Sequence, residues 1–264
     1  MKIGLVLSGG GILGVAHLSL LKQIHTHKIK ISEIAGCSSG AIIGSLYAAG
    51  GISRVEKFLD YLNGKGMFSQ TNIKLPDAIF EELENALVLF LKGSDFKNLR
   101  IPFSVVATDI NTGELIKIKN GNLIKAVLAS SAYPGFFKTQ KIDNRYLIDG
   151  GVLANLPVES LSKNNNFILG SYLGKIQKIV SEEVKEYKIG RFATYSRAID
   201  IAQDALCHES LKKCDFCFIP PVTQYKWNSF HKIKHIQKLS EEYAKAQINQ
   251  IIKLLLKYEN KTHK

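Results

Sequence analysis

The chain has little cysteine, with only Cys37, Cys207, Cys214 and Cys217 among its 264 residues. Four cysteines are too few for a disulfide scaffold at this length, which indicates a reducing compartment. Cys214 and Cys217 form a C-x-x-C pair, but no second such pair completes a zinc site. Residues 214–219, followed by two prolines, are typical of a strand. We therefore interpret the cysteines as small buried hydrophobic residues and expect no metal there.

Acidic residues are scarce relative to basic ones, with 23 Asp and Glu against 35 Lys and Arg, a formal net charge of +12. A positive surface favours anionic partners, either nucleic acid or anionic lipid head groups. No recognised nucleic-acid motif accompanies the charge. We interpret it as a solvated lysine-rich surface, with an anionic membrane surface as the second option, and expect no specific nucleic-acid partner.

Two stretches, residues 3–21 and 34–53, contain no Asp, Glu, Lys or Arg at all. Such stretches imitate a signal peptide or a membrane segment. However, three consecutive glycines, Gly9 to Gly11, interrupt the first stretch, and the second contains five glycines. We predict two buried strand-turn-helix units instead. The expectation is a cytoplasmic protein, neither secreted by this route nor membrane-spanning, with peripheral membrane contact as an option.

Low-complexity segments and repeats are absent, and 45% of the residues are hydrophobic, which indicates a globular protein. The length allows one large α/β domain or two small ones. We predict a single domain over residues 1–264, an α/β fold with a mostly parallel central sheet and helices on both faces. Residues 52–100 are interpreted as a helical insertion that packs on the core, with a lid as the alternative. Residues 226–264 are predicted to hold a basic C-terminal helix that docks on the core.

Hydrophobic periodicity places the individual elements. The predicted strands cover residues 2–8, 31–35, 101–108, 114–118, 145–148, 167–173 and 216–219. The predicted helices cover residues 15–25, 41–49, 55–62, 75–91, 123–130, 192–211 and 236–258.

The segment Gly36-Cys37-Ser38-Ser39-Gly40 is a G-x-S-x-G sequence between the second predicted strand and the next helix. A serine on such a sharp turn needs neighbours without side chains, which Gly36 and Gly40 provide. The turn would expose the Ser38 hydroxyl, and the start of the helix would place a partial positive charge where an oxyanion develops. The alternative is an ordinary Gly/Ser turn, because a lone motif often matches by chance.

A second glycine motif, Gly9-Gly10-Gly11-x-x-Gly14, follows the first predicted strand and precedes a helix. Backbone N–H groups in such a turn form an anion-binding nest. The spacing also fits a dinucleotide fingerprint, which requires an acidic residue at the end of the second strand. That strand ends in Gly36-Cys37-Ser38 instead. We therefore favour an oxyanion hole over a nucleotide site.

The third motif is Asp149-Gly150-Gly151, which directly follows a short predicted strand. An aspartate before two glycines is usually only a turn. This one lies at a strand end, where the sites of open α/β sheets gather. The two glycines would allow close approach to another loop.

Taken in order, the three motifs resemble the patatin-like phospholipase family, as do residues 107–113 and 129–135. The similarity runs from about residue 3 to 157, and more weakly to about 220. The resemblance implies a patatin-like fold and a lipid acyl hydrolase that works through an acyl-enzyme, without metal or cofactor. It implies that Ser38 is the nucleophile and Asp149 its base. It also implies an oxyanion hole from the N–H groups of Gly9, Gly10 and Gly11, with structural glycines at Gly14, Gly36, Gly40, Gly150 and Gly151.

One residue departs from the family pattern: Leu13 stands where arginine or lysine is usual. The backbone donors survive this change, but the cation is lost. A second hypothesis is therefore a catalytically silent lipid or anion binder on the same scaffold. A Ser–Asp dyad also requires a desolvated Asp149, because a carboxyl with a pKa of about 3.9 is a poor base and burial raises that value. His17, inside the first predicted helix, is interpreted as structural.

Overall fold

The computed structural model describes residues 1–66, 76–174 and 190–262. The strands in these ranges are β1 (Ile3–Leu7), β2 (Glu33–Gly36), β3 (Phe103–Asp109), β4 (Leu115–Ile118), β5 (Gln140–Ile142), β6 (Arg145–Asp149), β7 (Phe167–Ser171) and β8 (Phe216–Phe218). The α-helices are α1 (Ala16–Thr26), α2 (Ser39–Gly50), α3 (Ile52–Gly64), α4 (Pro76–Leu91), α5 (Leu123–Ser130), α6 (Gly151–Ala154), α7 (Arg191–Lys212) and α8 (Ile233–Thr262).

All of these strands belong to one sheet, in the order β5-β6-β3-β2-β1-β7-β8, with β4 also paired to β3. Strands β3, β2, β1, β7 and β8 run parallel to one another. Strands β4, β5 and β6 add an antiparallel edge. The predicted parallel sheet is therefore confirmed at the centre of the fold. Strand β5 was not predicted, because its sequence Gln140-Lys141-Ile142 contains no apolar run.

The side chains of β1 alternate between two cores, as expected for a strand covered on both faces. Leu5 and Leu7 belong to the larger core, which includes α1, α2 and α3. Val6 belongs to the smaller core, together with Leu156 and with Cys207 of α7. Helices thus cover both faces of the sheet, as predicted. Cys214 and Cys217 pack against the same smaller core, which agrees with their interpretation as hydrophobic residues.

The two helices predicted within residues 52–100 are present as α3 and α4, which pack on each other and on α2. Phe90 of α4 meets Phe58 of α3 edge to face, with ring centroids 5.6 Å apart. Both helices therefore pack on the core. That the segment is an insertion stays a prediction. The predicted start of the second helix, residue 75, lies outside the described residues. The lid alternative stays a prediction.

Helix α8 docks against α1 through one apolar face, as predicted. The buried residues of α8 include Ile233, Ile236, Ser240, Ala244, Ile248, Ile251 and Leu255. Lys22 of α1 bridges to Glu241 of α8 at 3.0 Å. No helix within the described ranges combines the length and the apolar character needed to cross a bilayer.

Candidate active site

Ser38 lies on the turn between β2 and α2 with φ 51° and ψ −122°. A positive φ is rare for a residue other than glycine and stores strain, which structures retain mainly at functional sites. The carbonyl oxygen of Ser38 accepts hydrogen bonds from the N–H groups of Ala41 and Ile42, which begin the helix. The Ser38 N–H donates to Ser130 Oγ at 2.9 Å. The turn therefore has the strained geometry expected of a nucleophile elbow.

The glycines of this turn are required by close approach, as the sequence indicated. A side-chain carbon added at Gly40 would overlap the carbonyl oxygen of Leu7 and lie 2.6 Å from that of Ser8. A side-chain carbon at Gly36 would lie 2.6 Å from the carbonyl oxygen of Gly40. Both neighbours are backbone atoms, so they cannot move aside by rotating a side chain.

The glycine-rich loop after β1 meets the serine turn. A carbon added at Gly9 would lie 3.0 Å from Ser38 Cβ, and one added at Gly14 would lie 2.5 Å from Ser39 Cβ. The chain continues from this loop through a 3₁₀ turn, Gly11–Val15, before α1 begins. The helix predicted from residue 15 thus starts about where expected, but the 3₁₀ turn before it was not predicted.

The amides of this loop are not equivalent. The Gly9 N–H donates to the carbonyl oxygen of Asn155 at 3.2 Å. The N–H groups of Gly10 and Gly11 donate none of the turn and loop backbone hydrogen bonds found in the described part of the chain. Gly11 adopts a positive φ of 59°. Because the Gly9 donor is already used, Gly10 and Gly11 remain as candidate oxyanion donors.

Asp149 is the last residue of β6 and is only 2% exposed. Its strand runs antiparallel to β3, with Asp149 opposite Ala107. Asp149 therefore does not follow a parallel strand of the sheet, and its place beside the serine turn comes from the register of an antiparallel edge. Its Oδ1 accepts the N–H of Gly151 at 2.7 Å and the thiol of Cys37 at 3.6 Å. The carboxylate thus contacts the residue that precedes Ser38.

A single cavity of about 140 Å³ is lined by Ser38, Asp149, Gly10 and Gly11. The rest of the wall is mostly apolar and comes from the 3₁₀ turn before α1, from α2, α3 and α4, and from residues 131–137 and 227–230. Apolar and aromatic wall residues include Ile42, Phe58, Leu62, Ile79, Leu83, Phe137 and Trp227. An apolar cavity with a few converging polar groups is the usual form of a small-molecule site.

Three residues near the site were not singled out from the sequence. Ser130 accepts the Ser38 N–H, and Asn155 accepts the Gly9 N–H. Trp227 accepts the Ile12 N–H through its carbonyl oxygen at 2.8 Å and packs its ring on Tyr133, with centroids 5.3 Å apart. Ser130 lies within a segment that carried the family resemblance. Trp227 acts on the loop through a backbone atom, which residue identity does not reveal.

His17 is fully buried in α1 and does not line the cavity. Its Nε2 lies 2.9 Å from the carbonyl oxygen of Ser8, so this nitrogen carries the proton and donates it. Its Nδ1 then accepts the Ser171 hydroxyl at 2.8 Å. Burial lowers the pKa of His17 to about 4. A neutral histidine with both nitrogens occupied is structural, as interpreted from the sequence.

The buried neutral His17 should make stability depend on pH. Its folded pKa of about 4 lies below its ordinary value of about 6.5, so unfolding takes up a proton between these pH values. The stabilisation is complete above about pH 6.5 and is lost as the pH falls toward 4. At pH 5 we expect this residue to cost about 2 kcal/mol relative to pH 7.5.

Urea unfolding of the wild type and of His17→Gln at both pH values isolates this contribution. Glutamine does not titrate, so the wild type should lose about 2 kcal/mol more than the variant between pH 7.5 and pH 5. Equal losses in the two proteins would show that His17 is not the titrating group.

The chain is thus an α/β protein with a largely parallel sheet. Its serine turn has the strained geometry of a nucleophile elbow, and the glycine-rich loop and a buried aspartate lie beside that turn. A family model described as Patatin-like phospholipase matches residues 5–162. The match covers more than half of the chain, so the chain belongs to the patatin-like phospholipase family. The family predicted from the three motifs is confirmed.

Individual relatives are longer than this chain. An uncharacterized NTE family protein of Mycobacterium tuberculosis is 30% identical over an alignment of 172 residues. This alignment covers 62% of this chain and 46% of that protein. A protein of Cryptococcus neoformans named lysophospholipase NTE1 is 27% identical over an alignment of 178 residues, which covers 62% of this chain and 10% of that protein. The chain thus spans less than half the length of these curated relatives.

The fold also has a counterpart among solved structures. The crystal structure of VipD from Legionella pneumophila superposes with a TM-score of 0.59 and covers 94% of this chain and 66% of its own. Only 14% of the residues are identical. This likeness supports the α/β fold and no more than the fold.

Proposed function

We propose that the chain is a lipid acyl hydrolase that cleaves carboxylic esters through an acyl-enzyme on Ser38. The observation that carries the proposal is the shared cavity, whose wall contains Ser38, Asp149 and the Gly10-Gly11 amides and is otherwise mostly apolar. Membership of the patatin-like phospholipase family supports the reaction class. One relative is named a lysophospholipase, which supports a lipid ester as substrate.

In the acylation step, Ser38 Oγ attacks the ester carbonyl carbon and its proton passes to the Asp149 carboxylate. The carbonyl oxygen becomes an oxyanion, which the amides of Gly10 and Gly11 stabilise. One such donor is typically worth about 3 kcal/mol in the transition state. The proton on Asp149 then passes to the leaving alkoxide, which departs as an alcohol. In the second step water attacks the acyl-enzyme carbonyl carbon and Asp149 accepts the water proton. As the bond between the acyl carbon and Ser38 Oγ breaks, this proton passes to Ser38 Oγ, and the fatty acid leaves.

The environment of Asp149 suits a base of this kind. At 2% exposure the carboxylate is almost completely shielded from bulk water. The N–H of Gly151 holds Oδ1 and fixes the direction of the side chain. With His17 buried elsewhere in a structural role, the proposed dyad contains no histidine.

The mostly apolar wall of the cavity supports an acyl chain as the part of the substrate that enters. Phe58 and Leu62 of α3 and Ile79 and Leu83 of α4 are part of this wall. Burying methylene groups there gains about 0.8 kcal/mol for each one. The formal net charge of +12 supports a further proposal, that the substrate is met at an anionic membrane surface.

Leu13 favours the second candidate, a silent lipid or anion binder. Leu13 is 2% exposed and belongs to the larger core, so this position offers no cation to the loop. The binder hypothesis retains the cavity and the amides but assigns no turnover to Ser38.

A product assay separates the two functions. Wild type and Ser38→Ala are incubated with phospholipid, lysophospholipid, triacylglycerol and short p-nitrophenyl esters, and the released acid or phenol is measured. We expect release by the wild type on at least one lipid ester and none above background by Ser38→Ala. Binding to liposomes without any release of fatty acid would favour the silent binder.

A further inference from the structure

Asn155, the residue after the short helix α6, is 1% exposed and lies between two elements of the proposed site. A carbon added at Gly9 would lie 2.5 Å from Asn155 Oδ1 and 3.0 Å from Ser38 Cβ. A carbon added at Gly151 would lie 2.9 Å from Asn155 Oδ1 and equally far from Asp149 Oδ1. The Asn155 carboxamide therefore borders both the glycine-rich loop and the aspartate turn.

The backbone carbonyl of Asn155 has a hydrogen-bond partner, whereas its side-chain carboxamide has none among the described residues. Its carbonyl oxygen accepts the Gly9 N–H at 3.2 Å, which attaches the glycine-rich loop to the end of α6. Within the described residues, neither Oδ1 nor Nδ2 of its carboxamide has a hydrogen-bond partner. A buried polar group without a partner lowers stability, and native proteins carry few of them.

An apolar side chain with the same branching would avoid this cost. Leucine branches at the same carbon as asparagine, although it is larger, and it would leave the carbonyl bond to Gly9 in place. A polar group that lowers stability yet borders the glycine-rich loop and the Asp149 turn fits the trade-off between stability and activity found at active sites.

We propose that Asn155 is a positioning residue for the reaction, an inference that rests on the proposed function. Its backbone carbonyl holds the glycine-rich loop so that the Gly10 and Gly11 amides face the oxyanion. Its carboxamide, packed between Gly9 and Gly151, fixes the distance between that loop and the Asp149 turn. Small displacements of catalytic groups reduce turnover strongly, whereas they leave the apolar binding of an acyl chain almost unchanged.

The test compares wild type, Asn155→Leu and Asn155→Ala, with Ser240→Ala as a matched control. Ser240 is a buried polar residue of α8 whose hydroxyl donates to the carbonyl oxygen of Ile236, outside the cavity wall. A fluorophosphonate probe counts the reactive Ser38 sites at its end point, and kcat is expressed per counted site. This normalisation removes any loss that comes only from unfolded protein.

In Asn155→Leu we expect the melting temperature to stay equal or rise. We expect kcat and the rate of probe labelling to fall about tenfold or more, with KM within about twofold. Ser240→Ala should keep the wild-type kcat per site. A fall of less than about threefold in both Asn155 variants would overturn the inference. It would also be overturned if both variants failed to fold, because the carboxamide would then be structural. A wild type that neither labels nor hydrolyses would instead overturn the proposed function, and this inference with it.

Discussion

Asp149→Asn should lose about three to four orders of magnitude in kcat while it folds normally. Asparagine has the same shape, and its Oδ1 can still accept the Gly151 N–H that holds the side chain at 2.7 Å. Its amide cannot accept the proton of Ser38 or of the hydrolytic water. The expected result is a folded protein with Ser38 in place and no effective base. Hydrolysis kinetics and a thermal melt measure the two properties separately.

Asp109→Asn provides the matched control for this change. Asp109 is also a buried aspartate, 2% exposed, at the end of β3, but it pairs with Arg145 at 3.0 Å and does not line the cavity. Its loss should lower stability and leave kcat per reactive site close to that of the wild type. Turnover by Asp149→Asn within tenfold of the wild type would remove Asp149 from the mechanism.

Gly40→Ala should destabilise the protein by more than about 3 kcal/mol and abolish reaction at Ser38, because overpacking against backbone cannot be relieved locally. The added carbon would overlap the carbonyl oxygen of Leu7, so α2 must move away from β1. That movement would displace the serine turn, since Ser38 lies directly before the helix. Urea unfolding gives the loss of stability, and probe labelling reports the turn.

Gly64→Ala is the control, because Gly64 is the last residue of α3. Among the described residues outside its own helix backbone and chain neighbours, no heavy atom lies within 4 Å of a carbon added there. Alanine there should stabilise the protein by about 0.4–1 kcal/mol, because it reduces the conformational freedom of the unfolded chain. If Gly40→Ala unfolded with a free energy within about 1 kcal/mol of the wild type, the close approach that defines the turn would be wrong.

Local sequence patterns predicted most of the elements and the residues of the three motifs. Seven of the eight described strands were expected, because apolar runs report burial directly. Strand direction is not present in such patterns. The sequence placed Asp149 at a strand end of an open sheet, but only the pairing with β3 shows that its strand is antiparallel. Strand β5 escaped detection because it is a short edge strand without an apolar run.

The supporting residues of the site could not be predicted for a different reason. Ser130 reaches Ser38 across 92 positions of the chain. Trp227 and Asn155 act on the glycine-rich loop through carbonyl oxygens, which every residue has. The glycine motif gives no reason to distinguish Gly9, Gly10 and Gly11 as oxyanion donors. In the structure the Gly9 N–H already donates to the carbonyl oxygen of Asn155, so only Gly10 and Gly11 remain as candidates. The single domain over residues 1–264 and the lid stay predictions.

The proposed function depends on Ser38 being a nucleophile that is activated in this cavity. Labelling with a fluorophosphonate probe, followed by mass spectrometry of the digested protein, measures that reactivity at the residue itself. We expect one covalent adduct on Ser38 in the wild type and none in Ser38→Ala. Absence of an adduct in the wild type, or equal labelling of Ser38→Ala, would contradict it.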